Sequence, residues 1–514
     1  MSKNGFVKGA VILIVFNLVG KVLGAIYRIP LANLLGLQGM GEYQLVFPLY
    51  SLLLAVSTSG IPVAMSKLVA EYNSQGKCCD SKRLLWSAVF YLSIISLLCL
   101  GFVVFGAKLI SGLQGNEGIY RCYYAIAPAI FFVGLLSAFR GYFQGNLMMV
   151  PTALSGFVEQ VTKLGFGLFF ASRFIRYGLS FGVLGAVLGV SVSELVSLLF
   201  MFIYYLATKK KLTTKSKTEA SSYKVLSKRL LSVALPITFG GLAYPIVSII
   251  DSVLVVNLLM KVGFSSSVAT QMYGINFGVV DPIINIPIII AVAVSASILP
   301  NISKASAMND KDEQKRLIEK SLQITLSVAL SCAIGYVVFG KQILQFLYGS
   351  TLNSETLKMS VIMLFFGCVN LIFMSLVQVS AGILQGIGSH KTASSSIAIG
   401  ALVKIVLTVV LVGNGRINIY GVMISGGVSY LVVFVMNYIK IKQETEARIH
   451  NFYFGISIQE CFVCLFAFFS NYLLGLVFGE NIALFGGGAL AVIIFAVTYY
   501  ILFMLKEKRN EVST

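Results

Sequence analysis

Apolar runs of about 20 residues or more recur from one end of this 514-residue chain to the other, each long enough to cross a ~30 Å hydrocarbon core as a helix. Fourteen are read, at 9–28, 43–66, 84–107, 119–139, 150–172, 181–207, 230–258, 273–299, 317–340, 357–384, 392–413, 417–439, 453–477 and 483–505. The runs are continuous rather than alternating. That pattern excludes barrel strands and leaves helices, which satisfy their own backbone hydrogen bonds in lipid. Composition agrees, since 57% of the residues are apolar and 11% charged, too little charge to cover a soluble fold of this size. The first run starts with Lys3 and Lys8 but is too long for a leader, holds Lys21, and lacks a small-residue cleavage site. It is expected to stay as the first spanning helix.

The chain also repeats itself. Arg140-Gly-Tyr-Phe-Gln-Gly145, followed by a helix carrying Lys163, reappears as Ala381-Gly-Ile-Leu-Gln-Gly386, followed by a helix carrying Lys404. Gly141, Gln144, Gly145, Ser155 and Lys163 pair with Gly382, Gln385, Gly386, Ser396 and Lys404 at one constant offset. At a slightly different offset, Ala55, Val56, Ser57, Ser59 and Pro62 pair with Ala293, Val294, Ser295, Ser297 and Pro300. Six helices per copy is an even number, so both copies enter the membrane in the same direction. The expectation is an all-α polytopic protein of two six-helix pseudo-symmetric lobes, 1–229 and 230–447, with a central cavity between them. Two additional helices and a tail, 448–514, have no counterpart in the repeat.

A net charge of +19 suggests nucleic acid, but its distribution argues for membrane topology. The loop 208–229 holds Lys209, Lys210, Lys211, Lys215, Lys217, Lys224, Lys228 and Arg229, and 301–320 holds Lys304, Lys311, Lys315, Arg316 and Lys320. Basic loops of this kind face the cytoplasm and anionic lipid. A multi-pass cell-membrane protein with both termini in the cytoplasm is therefore expected, with membrane lipid rather than nucleic acid as the partner. The cysteines show no metal spacing, and only His390 and His450 are present, so neither a metal nor a cofactor is expected.

A charge near the bilayer centre costs about 2.5–3.5 kcal/mol on insertion scales. Lys21, Glu159, Lys163, Glu194, Asp251, Asp281, Lys404 and Glu460 all fall inside spanning segments. Snorkelling accounts for Arg28 and Arg140, and Glu159 with Lys163 can neutralise each other at i,i+4. Packing contacts would account for Glu194 and Glu460, and Asp281 falls where water could reach. Lys21, Lys163 and Lys404 are central, and the last two are equivalent in the repeat. A wet cavity lined by them would take an anionic cargo, with Lys meeting phosphate as a point charge. Asp251 and Glu159 are read as coupling groups or charge partners.

Tyr43-Gln-Leu-Val-Phe-Pro-Leu-Tyr50, continuing into Ser57-Thr-Ser-Gly-Ile-Pro-Val-Ala-Met-Ser-Lys67-Leu-Val-Ala-Glu71, resembles the second helix of the polysaccharide-exporter branch of the multidrug/oligosaccharidyl-lipid/polysaccharide flippase superfamily. Arg140-Gly-Tyr-Phe-Gln-Gly145 and Gln385-Gly-Ile-Gly388 belong to the same pattern. Within that branch the chain resembles the Gram-positive group of stage V sporulation protein B and the MurJ-type lipid II flippases. The resemblance implies a V-shaped, two-lobe, alternating-access flippase of fourteen helices for undecaprenyl-pyrophosphate-linked sugars, with basic residues on helix one. Lys21-Val-Leu-Gly24 stands where the family has Arg-x-Leu-Gly, and Arg28 matches the Tyr-Arg-Ile that follows. MurJ-type proteins also use an Arg on helix eight, and 273–299 contains none.

The expected function is therefore flipping of a lipid-linked oligosaccharide with an anionic head group, peptidoglycan precursor first. The substrate-binding residues are expected to be Lys21, Arg28, Lys163 and Lys404. A monomer is expected, with cell-wall synthesis proteins as the protein partners. Another lipid-linked unit, for capsule, teichoic acid or spore cortex, is the alternative cargo. A multidrug or cation antiporter would instead need a cavity dominated by acidic groups. A membrane enzyme acting on lipid-linked glycans would need catalytic side chains in long external loops, and those read here are short and lack His.

Overall fold

The apolar runs fold as helices wherever the chain is described: a computed structural model of the protein describes residues 3–58, 60–212 and 221–447. The helices are α1 (Lys3–Thr58), α2 (Ile61–Ser74), α3 (Cys78–Leu113), α4 (Tyr120–Gly145), α5 (Met149–Phe174), α6 (Leu179–Leu212), α7 (Tyr223–Gly241), α8 (Ala243–Lys261), α9 (Ser266–Gly274), α10 (Asp281–Ala307), α11 (Lys311–Tyr348), α12 (Ser354–Gly386), α13 (His390–Val412) and α14 (Tyr420–Thr445). No strand occurs among the described residues. The two last expected spans, 453–477 and 483–505, lie outside the described residues with Glu460 and the whole 448–514 segment.

Ten helical stretches among the described residues are long and apolar enough to cross a membrane, against twelve expected there. The first two expected spans run together in α1, separated only by Gly36, whose φ of 67° and ψ of 179° interrupt the helix. A residue without a Cβ adopts that conformation at no steric cost. The external loop expected at 29–42 is accordingly helical on both sides of Gly36. The other missing stretch is α5, where Glu159, Gln160, Thr162 and Lys163 make the middle polar.

Exposed faces carry the apolar residues, the reverse of a soluble protein. Phe102, Phe105 and Leu109 on α3 and Leu402, Val406 and Val410 on α13 are all exposed, at the three- and four-residue spacing of one helix face. Water would oppose such surfaces and acyl chains would cover them.

The chain divides into two compact units, Met1–Gly278 and Val279–Thr514. The division falls inside one continuous helical run, at the π-helical turn Ile275–Val280 between α9 and α10. In space, then, α7 packs with α2 and α3, and α8 and α9 pack with α1, whereas the sequence repeat sets its own boundary earlier, at 229/230. Leu84 and Leu85 of α3, Phe143 of α4, Met201 of α6 and Leu230 of α7 share the first unit's core. In the second unit α12 packs with α10, α11 and α14, and α13 packs with α14. Ile302, Ile318, Val379, Ile383 and Ile441 meet in its core.

The two matched segments end their helices in the same kind of turn. After α4, Asn146 N–H donates to Tyr142 O at 3.1 Å, Leu147 N–H to Gln144 O at 2.9 Å and Met148 N–H to Phe143 O at 2.9 Å. After α12, Ile387, Gly388 and Ser389 donate to Ile383, Gln385 and Leu384 at 3.0, 3.2 and 2.8 Å. The second residue past each helix-ending Gly, Leu147 in one copy and Gly388 in the other, takes a positive φ of 59° and 89°. The same three offsets close α2, α3, α8 and α10 as well, so this turn is a general helix-ending motif and the duplication rests on the shared letters.

Helix α3 holds the chain at Ser221. The Asp80 carboxylate accepts from Ser221 N–H at 2.7 Å and from its hydroxyl at 2.8 Å. Arg83 donates to Ser221 O at 2.9 Å and lies over the Tyr223 ring. Asp80→Ala is expected to release this segment, because a deprived buried donor costs about 1–3 kcal/mol. Limited trypsin digestion checks it, with faster cleavage after Lys224 and Lys228 as the expected result.

Candidate functional site

The polar middle of α5 sits where α1, α4 and α6 converge on it. Gly20 and Gly24 bring α1 close, since a Cβ on either would stand 3.5 and 3.4 Å from the Gln160 side chain. On the other flank Gly189 of α6 touches Gly167 of α5 so closely that a Cβ there would overlap the Gly167 backbone. Small residues on both sides thus draw three helices around one short polar segment.

Arg140, from α4, is the hub of that segment. Its guanidinium pairs with Glu159 at 3.0 Å, donates through Nε to the Ser155 hydroxyl at 3.0 Å and reaches the Ser197 hydroxyl at 3.5 Å. Ser197 donates in turn to Ser155 O at 2.9 Å, tying α6 to α5. The other Glu159 oxygen accepts from Gln160 Nε2 at 3.1 Å. Glu194, on α6, is buried and accepts from Tyr50 of α1 at 3.4 Å. Lys163 is half-buried and feels the charges of Glu159, Glu194 and Arg28. Arg28, also half-buried, interacts electrostatically with Tyr43, whose ring packs on Tyr27 and Phe47.

Two simple readings of these charges fail. Arg140 does not snorkel; it is drawn inward by Glu159 and two serine hydroxyls. Nor do Glu159 and Lys163 form an ion pair along α5, because Arg140 occupies the Glu159 carboxylate. Among the described residues, neither the Arg28 guanidinium nor the Lys163 amine has a hydrogen bond or an ion pair. The structure thus brings Arg28, Glu159 and Lys163 together in the first unit. Asp251 is buried on α8 of the same unit, and Lys404 is half-buried on α13 of the second. The Lys21 backbone lies in α1, and its side chain lies outside the described residues.

The second unit has a neutral version of this hub. Ser396, the repeat partner of Ser155, is fully buried and donates to Asn437 Oδ1 at 2.6 Å, and Asn437 donates to Ser380 at 3.0 Å. Ala381 stands in the place of Arg140 and Gly400 in the place of Glu159. Charge is therefore concentrated where the two copies differ. That signal was available in the sequence, and it would have singled out Arg140 as a partner of Glu159. Tyr50 and Ser197 had no such signal, because only the fold carries them to α5.

An all-helical bundle whose described residues include ten stretches able to cross a membrane is the build of a multi-pass membrane protein. Residues 6–306 match the family model described as polysaccharide biosynthesis protein, and the chain belongs to that family. It is 27% identical to the lipid II flippase MurJ of Bacillus subtilis (strain 168) over 453 residues, 85% of this chain and 82% of that protein. It is 26% identical to stage V sporulation protein B of the same organism, over 91% of this chain and 89% of that one. Among solved structures it resembles a lipid II flippase MurJ in an inward closed conformation, with a TM-score of 0.72 and 17% identity over 96% of this chain and 99% of that one.

Proposed function

We propose that this protein flips an undecaprenyl-pyrophosphate-linked sugar from the inner to the outer leaflet, with lipid II as the first candidate cargo. The observation that carries the reading is the pair of half-buried cations Arg28 and Lys163, neither of which has an anionic partner bonded to it among the described residues. Cations taken out of water need a counter-anion, and a diphosphate supplies two charges and several acceptor oxygens. Lys21, about two turns before Arg28 on α1, belongs to the same proposed set. Lys404 is assigned the same role on its own unit through the repeat, with Asp251 and Glu159 as charge partners. The lipid tails would stay among the apolar faces of the bundle while the head group engages the cations.

The direction of movement fits the membrane field. An anionic head group moving outward across an inside-negative membrane gains about 2.3 kcal/mol per charge per 100 mV. The names of the relatives, a lipid II flippase and a sporulation protein, support a cell-wall cargo. The similarity to stage V sporulation protein B spans more of the chain, and it favours a spore-wall precursor as the second reading.

Reconstitution in vesicles tests the proposal. Fluorescent lipid II is expected to cross to the outer leaflet in protein-containing vesicles only, faster than a capsule-type lipid-linked sugar. Equal or faster movement of the capsule unit would reassign the cargo, and movement of neither would end the flippase reading.

A further inference from the structure

Glu194 is the one carboxylate of the cluster that the ion-pair geometry leaves over. It is 7% exposed, and its Oε2 has no hydrogen-bond partner among the described residues. Its Oε1 has only the long 3.4 Å contact from Tyr50. The nearby hydroxyls on its own helix are already committed: Ser191 donates to Ala125 O, Ser193 to Val190 O at 2.7 Å and Ser197 to Ser155 O at 2.9 Å. From the helices packed on α6, the charged or titratable groups facing it are Tyr50 of α1, Arg140 of α4, and Glu159 and Lys163 of α5. Glu159 takes the Arg140 guanidinium and the Gln160 amide. Two carboxylates that share one low-dielectric site are not both ionised cheaply. The proton then belongs on the carboxylate with fewer donors, and a bare oxygen is where it would sit.

We propose that Glu194 is a proton-binding site, and that its proton is linked to docking of an anionic head group at Lys163. The second half rests on the proposed function. Lys163 is the one mobile cation that both Glu194 and an incoming diphosphate can use, since Arg140 is held by Glu159 and two serines. When the diphosphate draws the amine away, Glu194 loses its countercharge, takes a proton from water and becomes a neutral acid. When the head group leaves, the proton returns to water. A metal cation suits the place poorly. Two positive side chains face it, and with both Glu159 oxygens taken by Arg140 and Gln160 the remaining carboxylate and phenol offer far fewer oxygens than a hard cation takes. The neutral hub of the second unit has Phe434 and Val435 where the repeat would place a counterpart of Glu194, so the device belongs to the first unit alone.

Linkage is reciprocal, which fixes the sign. The protonated form binds the anion more tightly, so wild-type affinity falls as the medium becomes alkaline and Glu194 ionises. Glu194→Gln mimics the protonated acid and keeps the tight form throughout. The probe is inorganic pyrophosphate, titrated against the detergent-solubilised protein, with wild type and variant compared at the same pH so that the probe's own titration cancels. Equal affinities on the acid side and an advantage of about tenfold for Glu194→Gln on the alkaline side are expected. A constant ratio across the range would overturn the linkage. Infrared difference spectra between acid and alkaline medium read the proton without any ligand. A neutral-carboxyl C=O band is expected in wild type and in Glu159→Gln and is expected to vanish in Glu194→Gln; a band that survives in Glu194→Gln would overturn the proton site. Loss of pyrophosphate binding in every form, with the band behaving as expected, would refute the anion reading and the linkage and leave the proton site standing. Sodium-dependent affinity that vanishes in Glu194→Gln would replace the proton by a metal cation and overturn the assignment.

Discussion

Lys163→Met is expected to lower the flipping rate of a pyrophosphate-linked lipid by about tenfold to a hundredfold while leaving yield and melting temperature near those of wild type. The two halves of this expectation have separate causes. A charge-assisted hydrogen bond is worth about 1.5–3 kcal/mol, and each 1.4 kcal/mol is about tenfold; losing one phosphate contact accounts for the rate. Stability is spared because the amine makes no hydrogen bond or ion pair among the described residues, and methionine keeps a flexible, unbranched side chain of similar size. Most charged residues at membrane depth behave otherwise, since removing one member of a bonded pair strands its partner. The measurement is a leaflet-resolved flipping assay beside thermal unfolding of the same preparations. A variant that melts early would make Lys163 a packing residue. Unchanged flipping at unchanged stability would remove it from the proposed site. Lys404→Met, on the other unit, is expected to shift the rate in the same direction.

Why Lys163 could be picked out from sequence, and Glu194 could not, follows from what each signal depends on. Lys163 recurs as Lys404 at a constant offset, and a recurrence of that kind can be read from the letters alone. Helix positions were similarly open to reading, because hydrocarbon thickness sets their length. The breaks were harder to place. Gly36 falls in a stretch read as a loop, whereas the π-turn at Ile275–Val280 and the Leu242 step between α7 and α8 fall inside runs read as single spans. Pairing was hardest. Glu159 lies one turn from Lys163 and looks like its partner, yet Arg140, nineteen positions away in the chain, wins because α4 and α5 run side by side and two serines hold its guanidinium in place. Glu194 appears in the linear sequence as a lone polar residue in an apolar helix. Only its position opposite Tyr50 and Glu159 shows what surrounds it.

The Arg140–Glu159 pair carries the largest expected stability effect. The two side chains retain only 24% and 17% exposure, so solvent screens them weakly. Removing one member of a buried pair leaves an uncompensated charge, at a cost of about 3–5 kcal/mol, and partial exposure places this pair at the lower end. Arg140→Ala is expected to lower the melting temperature in detergent by several degrees, where a snorkelling arginine would give almost no change. The double variant Arg140→Ala/Glu159→Gln is expected to recover most of the loss, because the stranded charge is then gone and Gln160 and Ser155 can serve the new amide. Flipping should follow a different pattern. In Arg140→Ala, the freed Glu159 carboxylate can turn to Lys163 one helical turn along α5 and occupy the amine proposed to meet the head group. Its flipping rate is therefore expected to fall more than its stability loss explains, and the double variant is expected to regain it. If stability recovers in the double variant while flipping does not, Arg140 itself meets the cargo and the division of labour between a structural and a binding cation is wrong.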